Sequence, residues 1–132
     1  MQTKKITIKR YDFNKIFISE GILTIVSEGQ LTTLTYTDNV IEEIVTGLYH
    51  PLSVFESLRV ILETKYQSLL GCNGCRIDTS YRATGGWGIY KIEYGKQATE
   101  SLNIFEPTDE IKRICTVADL KEAYKKWLDS LK

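Results

Sequence analysis

The sequence predicts one α+β domain, spanning residues 1–132, in which about three helices pack on a mostly antiparallel sheet. Three observations lead to this prediction. The length of 132 residues is that of one ordinary domain. Residues 5–37 alternate between apolar and polar side chains in short runs, whereas later segments repeat their apolar residues at helical spacing. Strands that are grouped together, with helices between the groups, are typical of an α+β fold, and the expected order is ββββ-α-α-βββ-α.

The N-terminal third is expected to form a four-stranded meander. Ile6 and Ile8 alternate with polar side chains, which is the period of a half-buried strand. The short turns predicted between the strands favour antiparallel neighbours. The expected strands cover residues 5–10, 16–19, 22–27 and 31–37, and the turns between them cover residues 12–14, 20–21 and 28–30.

Two helices are expected in the middle of the chain. Gly47 and Gly71 would end them, and Pro51 precedes the second, where its missing N–H costs little. The predicted capping boxes are Asn39 with Glu42 and Ser53 with Glu56. The apolar stripes are Val40, Ile41, Ile44, Val45 and Leu48 in the first helix, and Phe55, Leu58, Ile61, Leu62, Tyr66 and Leu69 in the second.

The C-terminal part is expected to contain three strands and a last helix. Thr116 is the predicted N-cap, with Asp119 near the positive end of the helix dipole. Cys115 and Leu120 would form a hydrophobic staple around this cap. The expected strands cover residues 76–82, 87–94 and 99–105, with a hairpin turn at residues 94–97. The predicted buried face of the last helix is Leu120, Tyr124, Trp127, Leu128 and Leu131.

Composition excludes several classes of protein. Hydrophobic residues make up 42% of the chain and charged residues 26%, which is typical of a globular domain and not of a disordered or fibrous one. Seventeen basic residues balance seventeen acidic ones, which disfavours a globally basic nucleic-acid binder. The first ten residues resemble neither a signal peptide nor a transit helix, and no apolar run is long enough to span a membrane. We therefore expect a cytoplasmic protein without membrane association.

The three cysteines are not expected to form disulfides or a metal site. Their odd number and the absence of a secretory signal argue against a disulfide framework. A zinc site would need all of Cys72, Cys75, Cys115 and His50, at long separations. We therefore interpret residues 72–75 as an Asn-Gly turn and His50 as a solvated or capping residue, and we expect no metal and no cofactor.

Aromatic and basic residues alternate along the predicted C-terminal strands and give the candidate binding site. A glycine-rich loop, residues 82–88, lacks the spacing of a phosphate-binding loop, but it could present an aromatic anchor to a partner. The same residues could stack on bases of single-stranded nucleic acid, or simply belong to a half-buried sheet. The candidate binding residues are Arg82, Trp87, Tyr90, Lys91 and Tyr94; no catalytic residue is predicted.

These observations favour a binding or regulatory module without catalytic activity, such as an inhibitor, an immunity protein or an assembly factor. The expected partner is another protein, and a homodimer is left open. Separate acidic and basic stretches could steer a charged partner. The first alternative is a module that binds single-stranded nucleic acid through residues 76–96, which the neutral total charge disfavours. The second is a small-ligand-binding protein or an enzyme with a pocket between sheet and helices.

Overall fold

In the computed structural model of the chain, the described residues form two antiparallel sheets and two α-helices. The structure describes residues 1–48 and 50–132, and of residues 81–85 it describes the backbone alone. The elements in chain order are β1 (Gln2–Asp12), β2 (Phe17–Glu28), β3 (Leu31–Thr37), β4 (Glu42–Leu48), α1 (Pro51–Tyr66), β5 (Ser68–Leu70), β6 (Thr79–Gly85), β7 (Gly88–Glu93), β8 (Lys96–Asn103) and α2 (Val117–Ser130). This confirms the predicted α+β class, but two α-helices are present where about three were expected, and the observed order ββββ-α-ββββ-α differs from the predicted ββββ-α-α-βββ-α.

The larger sheet has the strand order β4-β3-β2-β1-β5, with every neighbouring pair antiparallel. The chain therefore runs as a meander from β1 to β4, crosses the sheet in α1, and returns to the far edge in β5. Side chains of α1 and of the facing side of the sheet make the core, which includes Ile8, Leu23, Leu34, Phe55 and Leu58. The smaller sheet has the order β6-β7-β8.

The second and third predicted strands are in fact one long strand, β2. The turn expected at residues 20–21 is wrong, because Gly21 continues the strand and lies opposite Ile8. A Cβ atom at Gly21 would lie only 2.6 Å from the Tyr36 hydroxyl oxygen. This glycine is therefore explained by the close approach of a buried tyrosine, and not by a turn.

The helix predicted over residues 40–48 is wrong, since these residues form the turn before β4 and β4 itself. Residue exposure alternates along β4, as expected for a strand. Asp38 holds the preceding turn, because its Oδ1 accepts hydrogen bonds from the backbone N–H groups of Val40 and Ile41, both at 2.9 Å. The apolar spacing in this segment fits a helix, but pairing with β3 decides its conformation.

The predicted second helix is present as α1 with different ends. His50, and not Ser53, precedes its first turn, and Pro51 occupies the first helical position. The helix ends at Tyr66, before the predicted stop at Gly71, because Gln67 adopts a left-handed conformation with φ of 46°.

The smaller sheet and α2 follow the sequence prediction in outline. The hairpin between β7 and β8 turns at Tyr94 and Gly95, where glycine has a φ of +79°. Thr116 caps α2 through its hydroxyl oxygen, which accepts from the N–H of Asp119 at 3.2 Å. The predicted turn and the predicted N-cap are therefore confirmed.

The buried face predicted for α2 is largely wrong. Leu120 is buried, but Leu128 and Leu131 are exposed and Trp127 is only partly buried. The indole N–H of Trp127 donates to the backbone carbonyls of Glu93 and Lys96, at 3.0 and 2.8 Å. Because α2 lies beside the small sheet, only its first turn reaches the core. Within the described residues, no helix is long and apolar enough to cross a membrane.

Candidate functional site

Trp87, the aromatic anchor predicted from the sequence, packs on the core. Its ring meets that of Phe105 edge to face, with centroids 5.4 Å apart. The Lys4 Nζ atom lies 5.8 Å from the centroid of the Trp87 ring. Trp87 is therefore half-buried, and its ring is engaged by the domain itself.

The other candidate binding residues do not share one face. Tyr90 and Lys91 are successive residues of β7, so their side chains point to opposite sides of the sheet. Lys91 lies directly opposite Glu100 of β8, which places an acid beside the base. Tyr94 is 78% exposed in the hairpin turn. The fifth candidate, Arg82, has a side chain outside the described part of the chain.

A cluster of exposed apolar side chains surrounds the turn between β1 and β2. Asp12 holds this turn through its Oδ1, which accepts from the N–H groups of Asn14 and Ile16. The register between β1 and β2 shifts here and leaves Ile18 as an extra residue, as in a β-bulge. We call this cluster the hairpin-tip patch; it consists of Phe13, Ile16, Phe17 and Ile18, which are 46%, 62%, 54% and 43% exposed.

A groove of about 370 Å³ lies next to the hairpin-tip patch and shares Phe13 with it. Apolar residues from three parts of the chain contribute to its wall, among them Leu69 of β5 and Ile77. Its complete lining is Phe13, Lys15, Leu69, Ile77, Lys112, Arg113, Ile114, Cys115, Thr116 and Asp119. We call it the basic groove, because three bases and one acid line it.

The bases of the groove are held in place by hydrogen bonds and ion pairs. The Lys15 ammonium donates to the backbone carbonyl of Lys112. Arg113 lies 3.4 Å from both Asp78 and Glu110, while half of its side chain remains exposed. Cations at this rim favour an acidic ligand over a basic one.

A second open groove, about 350 Å³, lies between the small sheet and α2. Ile77 and Arg113 line both grooves and so form the ridge between them. Tyr94 and Trp127 line the second groove, and the ring of Trp127 stacks on Tyr124 with centroids 5.8 Å apart. Of the four predicted residues whose side chains the structure describes, Tyr94 is the one that contributes to this groove.

The three cysteines surround a buried arginine, Arg59, on the inner side of α1. Its guanidinium donates to the Gly74 carbonyl at 3.0 Å and to the Cys115 carbonyl at 2.8 Å. The Cys72 thiol donates to the Cys75 sulfur, and the two Sγ atoms are 3.8 Å apart. All three thiols are free and buried.

The thiols differ in their tendency to ionise. Burial opposes the charge on Cys75, but the hydrogen bond from Cys72 and the charge of Arg59 outweigh it and lower the pKa of Cys75 to about 7. Burial and the hydrogen bond to Cys75 raise the pKa of Cys72 well above its usual value. Burial raises the pKa of Cys115 to about 12. Cys75 is thus the thiol most readily converted to a thiolate.

Residues 72–75 form more than a local turn. Asn73 to Cys75 make one turn of 3₁₀ helix, in which all three residues are buried. Its backbone is tied to distant segments: Gly74 N–H donates to the Ile104 carbonyl at 2.7 Å, and the Cys75 carbonyl accepts from Cys115 N–H at 2.8 Å. We call residues 72–75 the CNGC turn. The described residues contain no group of three or more His, Cys, Asp or Glu side chains placed to hold a metal, and His50 is exposed.

Arg59 is a buried residue of this cluster that was not predicted from the sequence, although the sequence contains a signal for it. Arg59 follows Phe55 by four residues and precedes Leu62 by three, so helical spacing places it on the apolar stripe of α1. A single charged residue on such a stripe must find buried partners. The carbonyls that serve as partners lie far along the chain, so the sequence could not identify them.

No protein-family model, curated protein or solved structure matches this chain. The function is therefore argued from the grooves, the exposed apolar residues and the buried cluster.

Proposed function

We propose that the chain is a protein-binding module of regulatory type that docks its partner on the hairpin-tip patch and the basic groove. The observation that carries the proposal is the patch itself: four large apolar side chains within six residues are exposed at one turn. Exposed apolar groups that are contiguous, and not scattered, are typical of protein interaction sites.

The composition of the surface favours a protein partner of particular chemistry. The patch supplies an apolar centre, and the groove beside it supplies Lys15, Lys112 and Arg113 at its rim. An apolar centre surrounded by polar and charged residues is the arrangement found in transient protein–protein interfaces. A complementary partner segment would carry an apolar anchor flanked by acidic side chains.

The small sheet, which the nucleic-acid alternative would use, is a less suitable binding surface than the patch and the groove. Lys91 lies opposite Glu100, and Lys96 pairs with Glu93 at 3.3 Å, so acids accompany the bases of the small sheet. Acids beside the bases weaken the attraction of the small sheet for phosphate groups. The side chain of Arg82 lies outside the described part of the chain and enters neither argument.

The test compares two single substitutions at equally exposed apolar residues. Ile16→Asp introduces a charge into the patch, and Leu48→Asp is the control. Leu48 pairs with Leu31, and Leu31 pairs with Glu28, the last residue of β2. Leu48 therefore lies at the end of the larger sheet where β2 ends, whereas the patch lies where β2 begins. Phe17 and Glu28 are the first and last residues of β2, eleven residue steps or about 36 Å apart along the extended strand, so the control lies far from the patch.

The measurement is quantitative affinity capture from cells of the source organism, followed by direct binding of the purified partner. We expect a partner that binds the unmodified chain and Leu48→Asp equally, and binds Ile16→Asp at least tenfold more weakly. Circular dichroism of the variants controls for folding. Equal loss in both variants, or a partner that proves to be single-stranded nucleic acid, would contradict the proposal.

A further inference from the structure

The buried pair Cys72 and Cys75 lies outside the surface proposed for partner binding. The two Sγ atoms are 3.8 Å apart, whereas a disulfide bond requires about 2.05 Å. An approach of less than 2 Å is within the reach of side-chain rotation in a C-x-x-C turn. The geometry thus already holds the two sulfurs as neighbours.

A charged group at this site favours one sulfur as the nucleophile. Arg59 is buried beside the pair. Its Nε atom lies 4.0 Å from the Oε2 atom of Glu63, which carries the opposite charge. The groups that face Cys75 are thus one cation, one half-buried carboxylate and two further thiols, Cys72 and Cys115. A buried cation that is only partly neutralised stabilises a thiolate next to it.

A small opening in the surface reaches Arg59, whereas none of the three cysteines lines it. It lies between α1 and α2, has a volume of about 80 Å³, and includes Arg59 in its lining together with Ser53 and Glu56. Such an opening admits a molecule of the size of one or two waters but excludes a second protein. An oxidant has to pass Arg59 to reach the buried thiols, and the smallest hydroperoxide, hydrogen peroxide, is therefore the oxidant that we consider.

We propose that Cys72 and Cys75 are a modification site, at which hydrogen peroxide converts the dithiol to an internal disulfide, with Cys75 as the attacking sulfur and Cys72 as the resolving one. Arg59 is a positioning residue that stabilises the thiolate and holds the turn. This inference does not depend on the proposed partner-binding surface.

The chemistry balances with peroxide as the oxidant. The Cys75 thiolate attacks one peroxide oxygen, the O–O bond breaks, and the products are a sulfenic acid on Cys75 and hydroxide, which takes the proton lost by Cys75. The Cys72 sulfur then attacks the Cys75 sulfur, the S–O bond breaks, and water leaves with the proton of the Cys72 thiol. In total the two thiols lose two electrons and two protons, and one peroxide becomes two waters.

The first experiment uses the unmodified full chain and peptide mass mapping. Trypsin cleavage after Lys65 and Arg76 releases residues 66–76 with both cysteines, whereas cleavage after Arg113 and Lys121 releases residues 114–121 with Cys115 alone. After peroxide treatment and alkylation under denaturing conditions, we expect peptide 66–76 to have lost two hydrogens and to resist alkylation. Peptide 114–121 should remain fully alkylated, which makes Cys115 the internal control.

Two further arms test the roles of the two sulfurs. In Cys72→Ser, peroxide should leave a sulfenic acid on Cys75 that a dimedone probe labels; in Cys75→Ser, labelling of Cys72 should be at least tenfold slower. In the unmodified chain, the rate of disulfide formation should be half-maximal at a pH below the range of an ordinary thiol. Arg59→Lys, which keeps a cation, should preserve this pH profile better than Arg59→Met.

Several outcomes would overturn the proposal. Peptide 66–76 that is unchanged, or that only gains oxygen atoms, shows that the pair does not close. Faster oxidation of Cys115 than of peptide 66–76 contradicts the assigned thiolate. Faster dimedone labelling of Cys72 than of Cys75 reverses the roles. Because the mapping needs no variant, a failure of either cysteine variant to fold leaves the central test intact.

Discussion

Replacing Arg59 with methionine tests whether this buried arginine stabilises the domain through the two carbonyls that it contacts. The guanidinium donates to Gly74 at 3.0 Å and to Cys115 at 2.8 Å, and methionine fills a similar volume without donating to either. Each buried carbonyl left without a donor costs about 1–3 kcal/mol. Removing a buried cation recovers part of its desolvation free energy, so we expect a net loss of about 3 kcal/mol.

Urea unfolding, followed by circular dichroism, measures this loss. For a chain of this length the corresponding fall in melting temperature is about 10 °C. Arg113→Met is the matched control: Arg113 also has two polar partners, at 3.4 Å, but its side chain is 51% exposed. Exposed ion pairs contribute about 0–1 kcal/mol, so the control should lose less than about 1 kcal/mol. Equal losses in the two variants would refute the reasoning that burial makes Arg59 important.

Three further predictions concern stability. Burial opposes the charge of Asp38, but hydrogen bonds from Arg10 and from backbone N–H groups outweigh it and lower the pKa of Asp38 to about 2. A carboxyl group whose pKa is lower in the folded than in the unfolded state stabilises the fold above the unfolded-state pKa near 4, and this stabilisation is lost as the pH falls towards 2. The free energy of unfolding, measured as a function of pH, should therefore fall by about 2 kcal/mol between pH 4 and pH 2, and this fall should be absent in Asp38→Asn. Trp127→Ala should cost about 1–2 kcal/mol in urea unfolding, less than the roughly 3–5 kcal/mol of a fully buried aromatic, and a larger loss would contradict its partial exposure. Gly21→Ala should cost about 1–3 kcal/mol by the same assay, because its methyl group would overlap both the Thr37 carbonyl oxygen and the Tyr36 side chain, and a neutral effect would contradict this close packing.

Local signals in the sequence predicted the elements whose ends are fixed locally. The cap of α2 depends on Thr116 and Asp119, three residues apart, and the β7–β8 turn depends on Gly95. Such features involve neighbours along the chain, so their residue types are sufficient to identify them.

Tertiary contacts decided the elements that the sequence did not predict. The segment before α1 has apolar residues at helical spacing, yet pairing with β3 makes it a strand. Gly21 was interpreted as a turn because the tyrosine that requires it, Tyr36, is distant in sequence. In both cases the conformation depends on a residue or strand that is distant in the sequence, so a local pattern cannot predict it.

The candidate site was predicted least well, for a related reason. The alternation of aromatic and basic residues predicted a shared platform, but Trp87 packs on Phe105, and Tyr90 and Lys91 face opposite sides. Ile16, Phe17 and Ile18 of the hairpin-tip patch lie in a segment that the sequence assigns to a strand, and Phe13 lies in a predicted turn. Their exposure depends on which parts of the chain cover them, and the sequence does not record this.

The CNGC turn has a consequence for the order of folding. Its neighbours include residues close to both ends of the chain: Gly71, just before it, donates to the Lys9 carbonyl, and Cys75 accepts from Cys115. Contacts between residues so far apart in sequence close large loops and form late. On a ribosome, the partners of this turn are incomplete until residue 115 has left the exit tunnel. Until then Cys75 lacks the backbone contact with Cys115 that the folded domain has, so the thiol pair is not yet enclosed as it is in the finished fold.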